Sequence, residues 1–485
     1  MPILSPALGA TVPDSPHATV VCLPTLADVE GYERKDERVW KLLRSGYPRF
    51  VRNALVARAA QEAARRLGRS GELFPLLSEP TARRLVEQVG VSVASFDRVG
   101  DWCLVATPPG EAAVRLAKMV QHTGTLISSR QAEAWLDGHP PHDGVAPLAS
   151  VRAALAPLLA GVQPADILVA SSGMNAIDAG IAAVDAVQRA RGRSAWIQLG
   201  WLYVDSIRLF EKARDAKHHF VSDVRDLAAV ERLLATGAIA GVFTEVPNNP
   251  QLETADIPAL RALCDRHGAK LLIDPSSAGL ASVDVLPFAD VLVSSLTKYA
   301  GSEGDIMAGL LAVNPDRADA AELLGHARRR LESLPAPDLV ALASQIGRIV
   351  EVTARLSATA AEIARRLAAH PAVARVRTAD QGPTAAAYRR LMRPGAGAGA
   401  LITLELRGEM RRVYDRLAVA KGPSFGLRYT LAAPFLWLAH FEEVTTEEGR
   451  AHIRAAGLDP DLLRISVGLE PLEEIWAAFE AALAK

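Results

Sequence analysis

Apolar residues recur along the chain in two rhythms. Short apolar runs stand at DILVAS from Asp166, SAWIQL from Ser194, HHFV from His218 and AGVFTEV from Ala240. They continue at AKLLIDPSS from Ala269, DVLVSS from Asp290 and AGLLAVN from Ala308. Between them lie helical patterns: VRAALAPLLAG from Val151, VRDLAAVERLLATG from Val224 and IPALRALCDRHG from Ile257. Strands separated by helices of this length predict an α/β fold, a mostly parallel sheet with helices on both faces.

The flanks follow other patterns. Residues 1 to about 18 carry Pro2, Pro6, Pro13 and Pro16 and predict an extended arm. Ala54 to Leu67 has helical spacing. From Glu72 to about Gly138 a small α/β insert is predicted, with helices PTARRLVEQVG and GEAAVRLAKMV and strands SVASFDRV and DWCLVATP. The turn chemistry of Gly138–Gly144, GHPPHDG, marks a boundary. From about Asp338 a long helical pattern, through His370, leads to a smaller C-terminal domain. Its strands are GALITLELRG and LRISVGLE and its last helix PLEEIWAAFEAALA. The division expected is an arm and insert (1–150), a large domain (151–337) and a C-terminal domain (338–485).

Composition narrows the function classes. The 485 residues are 49% hydrophobic and 22% charged, with a formal net charge of -1. Such a balance gives no field for nucleic acid or an anionic membrane. Cys22, Cys103 and Cys264 form neither a disulfide framework nor a metal spacing, which suits a reducing cytoplasm. His218-His219 and the His139/His142 pair lack metal spacing too. No apolar run reaches the ~18 residues a span needs, and the N-terminus lacks a signal peptide's basic region.

The candidate chemistry lies at strand ends. Ser172, Asn249, Asp274 and Lys298 all follow apolar runs, and parallel sheets bind ligands at the carboxyl ends of their strands. Alone, Lys298 reads as a loop lysine and Asp274 as a turn or N-cap residue. Together with a phosphate cradle they form the set that pyridoxal phosphate requires: a lysine for the Schiff base, an aspartate at the pyridine nitrogen and donors for the phosphate. Ser172-Gly173-Met174 opens a helix after a strand and suits the last task. The run Gly395–Ala400 resembles a dinucleotide loop but lacks the strand and helix that such a loop needs.

The succession SGM, PNNP, LLIDPSS, SSLTKY and RISVGLE resembles the cystathionine γ-synthase-like branch of the pyridoxal phosphate enzymes. The branch has the fold type I, aspartate-aminotransferase-like architecture. CLPT, GYPRF, QHTG, ISSRQAE, LGWLYVDS, KGPSFG and Leu438-Ala439-His440 are most similar to the fungal type. The resemblance implies Lys298 as the Schiff-base lysine and proton carrier, and Asp274, followed by Ser276, at the pyridine nitrogen. Gly173, Met174, Ser295 and Thr297 would hold the phosphate, with Asn249 near the phenolic oxygen. Arg464 would bind the substrate α-carboxylate, with Thr430 nearby. Tyr47 and Arg49, or else Arg130, would reach the phosphate of a neighbouring subunit, making the enzyme a dimer or tetramer.

One departure bears on the chemistry. Where the family has a tyrosine that stacks on the cofactor, this chain reads Leu199-Gly200-Trp201-Leu202. Trp201 or Tyr203 is left to cover the ring, the alternative being an aromatic buried in the core. The expected activity is γ-replacement on an amino-acid substrate, with cystathionine γ-synthase (O-acyl-homoserine plus cysteine) leading. The alternatives are γ-elimination, or a specialised enzyme acting on a halogenated or unsaturated amino acid. A non-catalytic scaffold of the same fold is the remaining class.

Overall fold

The computed structural model describes residues 2–46, 50–91, 95–140, 143–212 and 217–484. Near its start β1 (Thr11–Val12) and β2 (Val20–Val21) pair antiparallel, so the expected arm folds back on itself. The helix Ala54–Leu67 forms as its spacing predicts, between an Asn53 cap and a left-handed Gly68. In the insert, β3 (Glu72–Leu76), β4 (Ser95–Val99) and β5 (Trp102–Thr107) form an antiparallel sheet in the order β3-β5-β4. Strand β3 escapes the sequence pattern because Pro75 sits in it, which an edge strand tolerates.

The central sheet holds β6 (Leu168–Ala170), β7 (Ala195–Leu199), β8 (His218–Val221) and β9 (Ile239–Glu245). It is completed by β10 (Lys270–Asp274), β11 (Val291–Ser295) and β12 (Gly309–Val313). The order is β6-β12-β11-β10-β9-β7-β8, parallel except for β12, which runs against both neighbours. Strand alternation sends Leu271 and Ile273 into one core and Leu272 into the other. The first core is covered by helices that include Val145–Leu155 and Ile257–His267, the second by Gly173–Arg189 and Ala320–Arg330. Burial on both faces explains why these strands read as unbroken apolar runs.

The smaller sheet contains β13 (Val373–Arg377), β14 (Leu401–Leu406), β15 (Ala420–Lys421), β16 (Leu431–Pro434) and β17 (Leu463–Ser466), in the order β13-β14-β17-β16-β15. Two expectations shift. The helix expected from Val151 starts at Val145 and ends at Leu155, because Pro157 cannot continue it. The long C-terminal pattern is two helices, Ala336–Ile346 and Ile349–Ala368, broken at Gly347-Arg348. No helix among the described residues is long and apolar enough to cross a membrane.

Candidate active site

The carboxyl ends of the central strands face the smaller sheet across a cavity of about 930 Å³, measured out to its open mouth. Lys298, Asp274, Asn249 and Ser276 line it, with Gly173, Met174 and Ser295 at one end. Arg464 enters from β17, and Tyr203 from the start of the helix Val204–Lys212.

Lys298 is buried, and its Nζ donates to the Ser424 hydroxyl at 2.8 Å. The ammonium stands 5.0 Å from the centre of the Phe425 ring, a cation–π contact. The chain reverses just after it. Tyr299 adopts a left-handed backbone with φ 50°, a costly conformation for a bulky residue. Its ring holds the turn in place: the hydroxyl donates to Ser277 O at 2.8 Å and accepts from Ala400 N–H at 3.0 Å.

Asp274 and Glu245 occupy one rung of the ladder between β10 and β9, and both are buried. Burial pushes the Asp274 carboxyl up to about 6, against the pull of hydrogen bonds from Ser276. Ser276 donates its backbone N–H to Asp274 Oδ1 at 2.8 Å. Glu245 is raised further, by burial first and then by the Asp274 charge. The Asp274 carboxylate lies in a low-dielectric site that a pyridinium N–H would satisfy.

The far end has the donors that suit an anion. Ser172 caps the helix Gly173–Arg189, its hydroxyl accepting from Asn175 N–H at 3.0 Å, and the helix N-terminus opens on the cavity. The Ser295 hydroxyl and Asn249 Oδ1 are both buried without a hydrogen-bond partner. These orphaned groups and the desolvated Asp274 fit the cofactor's phosphate, phenolic oxygen and ring nitrogen. The cradle is closely packed. A Cβ on Gly309 would lie 2.2 Å from Ser172 O and 2.8 Å from Gly173 N. Gly309→Ala is expected to cost about 1–3 kcal/mol by overpacking and to weaken cofactor binding at once. Thermal melts and a cofactor titration check this; an unchanged melting temperature contradicts it.

Arg464 is buried, which pulls its guanidinium down to about 10 and leaves it charged at neutral pH. It donates to the carbonyls of Pro423 and Ser424 and packs over the Phe425 and Phe435 rings at 5.3 and 4.9 Å. Its hydrogen-bond partners among the described residues are these backbone carbonyls, which suits a guanidinium kept for a substrate carboxylate.

Other expected residues lie outside the cavity lining. Thr297 spends its hydroxyl on Ala308, accepting from its N–H at 3.0 Å and donating to its carbonyl at 3.3 Å. Thr430 donates to Glu470 at 2.8 Å. Trp201 packs behind the wall, edge-on to His440 and beside Phe435 and Leu436. Arg130 is committed to Asp305, with Asp338 at 3.9 Å. Tyr47 and Arg49 lie outside the described residues; Phe50 lines the cavity. Sequence reasoning assigned no role to Glu245, nor to the apolar wall of Pro423, Phe425, Phe435, Leu438 and Ala439. KGPSFG and the Leu438-Ala439-His440 stretch were its only signals.

A fold type I architecture with this lysine, aspartate and anion cradle defines a pyridoxal-phosphate-dependent enzyme. Residues 149–484 match the family model "Cys/Met metabolism PLP-dependent enzyme", and the chain belongs to that family. It is 37% identical to the L-2-amino-4-chloropent-4-enoate dechlorinase/desaturase of Streptantibioticus cattleyicolor, covering 99% of this chain and 98% of that one. It is 32% identical to the cystathionine gamma-synthase of Neurospora crassa, over 67% of this chain and 53% of that protein. The cystathionine gamma synthase of Xanthomonas oryzae pv. oryzae, solved with cystathionine, superposes with a TM-score of 0.59 at 25% identity. That match covers 69% of this chain and 84% of the other. The cofactor is pyridoxal phosphate, and the family's chemistry is γ-replacement or γ-elimination on amino-acid substrates.

Proposed function

We propose that this enzyme eliminates a γ-halide from a small unsaturated amino acid of the 2-amino-4-chloropent-4-enoate class. The observation that carries this reading is the make-up of the cavity. Among the described lining residues the cations are Lys298 and Arg464. Lys298 is engaged with the cofactor, so one guanidinium serves one carboxylate. Joining acyl-homoserine to cysteine brings in a second α-carboxylate, which Phe425, Phe435, Leu438 and Ala439 give no charge to meet. An apolar wall favours a chlorine or vinyl group and excludes water from the γ-carbon. The full-length similarity to the dechlorinase/desaturase supports the same choice.

Bound pyridoxal phosphate supplies an electron sink for the bonding electrons released at the α-carbon. Asp274 would keep the ring nitrogen protonated, and Gly173, Met174 and Ser295 would hold the phosphate. Arg464 would fix the substrate carboxylate so that the α-hydrogen faces Lys298. Lys298 would take protons from the α- and β-carbons and return them where the product requires. The carbon–chlorine bond breaks with its electron pair leaving as chloride. The net loss is HCl, and the product carries one further unsaturation.

The test compares 2-amino-4-chloropent-4-enoate with O-acyl-homoserine, each with and without cysteine. Chloride release equal to substrate consumed, independent of cysteine, is expected. Cystathionine from acyl-homoserine and cysteine, with no chloride release from the chlorinated substrate, overturns the reading. We further propose a dimer in which Tyr47 and Arg49 serve the neighbouring site, and the division 1–150, 151–337 and 338–485 as its domains.

A further inference from the structure

Tyr203 is the only phenol among the described residues lining the cavity. Arg464, which would meet the substrate carboxylate, lines the same cavity. Tyr203 immediately precedes the helix Val204–Lys212. The segment before it is awkward: Leu199 is fully buried in the core, and Gly200 turns the chain with φ 77°. A Cβ on Gly200 would meet Val224 at 2.5 Å. The chain then passes Trp201, behind the wall, before Tyr203 enters the site.

Two buried contacts hold this segment. Glu245 Oε1 accepts the Tyr203 backbone N–H at 2.6 Å, placing a carboxyl group at the first turn of the helix Val204–Lys212. Two residues further on, Asp205 Oδ1 meets His122 Nδ1 at 3.0 Å and accepts from Gln121 Nε2 at 3.1 Å. His122 and Asp205 are both buried. Gln121 and His122 belong to the insert helix Glu111–Thr123, far from Asp205 in sequence. Ser206 donates to Met174 Sδ at 3.7 Å and ties the same turn to the phosphate cradle.

We propose that Glu245 and the His122–Asp205 pair are positioning residues that hold Tyr203 in the wall of the substrate cavity, and that this is a task of the insert's Gln121-His122. Tyr203 is the group that touches substrate; the others act through it. Glu245→Gln is close to isosteric and keeps an acceptor for the Tyr203 N–H.

The proposal rests on the cavity as the substrate site but not on the leaving group, so it is read with whichever γ-substituted amino acid the holoenzyme turns over. Tyr203→Phe is expected to lower kcat about 10- to 100-fold. Glu245→Ala and His122→Ala should each lower kcat by a similar factor, and Glu245→Gln by under about three-fold. In the Tyr203→Phe background, Glu245→Ala and His122→Ala should cost almost nothing more, because effects that act through one group do not multiply. Amide hydrogen exchange supplies a readout besides activity. Both alanine variants should speed exchange in residues 200–206 while cofactor affinity stays within about two-fold. His122→Gln and Asp205→Asn repeat the test where an alanine variant is poorly folded. Multiplying effects in the double variants, Tyr203→Phe within two-fold of wild type, or unchanged exchange at 200–206 overturns the proposal.

Discussion

Lys298→Ala is expected to abolish covalent attachment of pyridoxal phosphate and to lower turnover by at least about 10³-fold. The expectation follows from how the amine is held. Its Nζ is buried between the Ser424 hydroxyl and the Phe425 face, at the edge of a sheet whose neighbouring strand ends carry Asp274 and Asn249. No other lysine lines the cavity among the described residues, so no second amine can take the position. Borohydride treatment should fix the cofactor to the peptide containing residue 298 in the wild type, and to none in the variant. Cofactor should still enter Lys298→Ala non-covalently, because the cradle at Gly173 and Ser295 is untouched. A variant that keeps activity within ten-fold, or a label on a different lysine, would refute the assignment. Lys298→Arg separates charge from chemistry: it keeps a cation near Phe425 but cannot form the bond, and should be as inactive as the alanine variant.

How much of this was legible in the sequence depends on where each group sits. Lys298, Asp274 and Asn249 were visible because strands buried on both faces announce themselves as apolar runs, and a polar residue at the end of such a run stands out. Arg464 was found through its motif, though its placement needed the smaller sheet. Phe425, Phe435 and Leu438 were not assigned, because apolar residues in a distant segment read as core until two sheets are brought together. Glu245 was missed for the opposite reason: it closes a strand beside Asp274, and no spacing separates a buried acid from a solvated one. Trp201 and Tyr203 are two residues apart and were indistinguishable by sequence. The turn at Gly200 sends the first behind the wall and the second into the cavity. Arg130 and Thr430 fit their motifs, yet hydrogen bonding already commits them to Asp305 and Glu470.

Asp274→Asn is expected to stabilise the apoprotein and cripple the holoenzyme. The native carboxyl is raised by burial to about 6, from the ~3.9 of an exposed aspartate. A raised acid binds its proton more tightly folded than unfolded, so folding stability falls as pH rises from about 4 to about 6. Above that window the whole penalty is present, about 3 kcal/mol for a shift of roughly two units. Asparagine cannot ionise, and its Oδ1 can still accept the Ser276 N–H that Asp274 accepts at 2.8 Å. It also removes the charge that raises the Glu245 carboxyl, relieving a second buried acid. Apo Asp274→Asn should therefore melt a few degrees higher than apo wild type at pH 7.5, with the gap closing toward pH 4. Adding pyridoxal phosphate should reverse the order. Only the aspartate pairs with a protonated ring nitrogen, so the wild type gains more from the ligand. Turnover by the asparagine variant should fall by about 10²-fold or more, because a ring without that proton is a poorer electron sink. Equal melting temperatures for the two apoproteins at pH 7.5 would mean that the Asp274 carboxylate is not desolvated in the apoprotein. A holo variant with wild-type turnover would remove Asp274 from the pyridine nitrogen. The reversal distinguishes a residue retained for its cofactor from one that serves the fold: the buried carboxylate costs the empty protein stability, and the cofactor's ring offsets that cost.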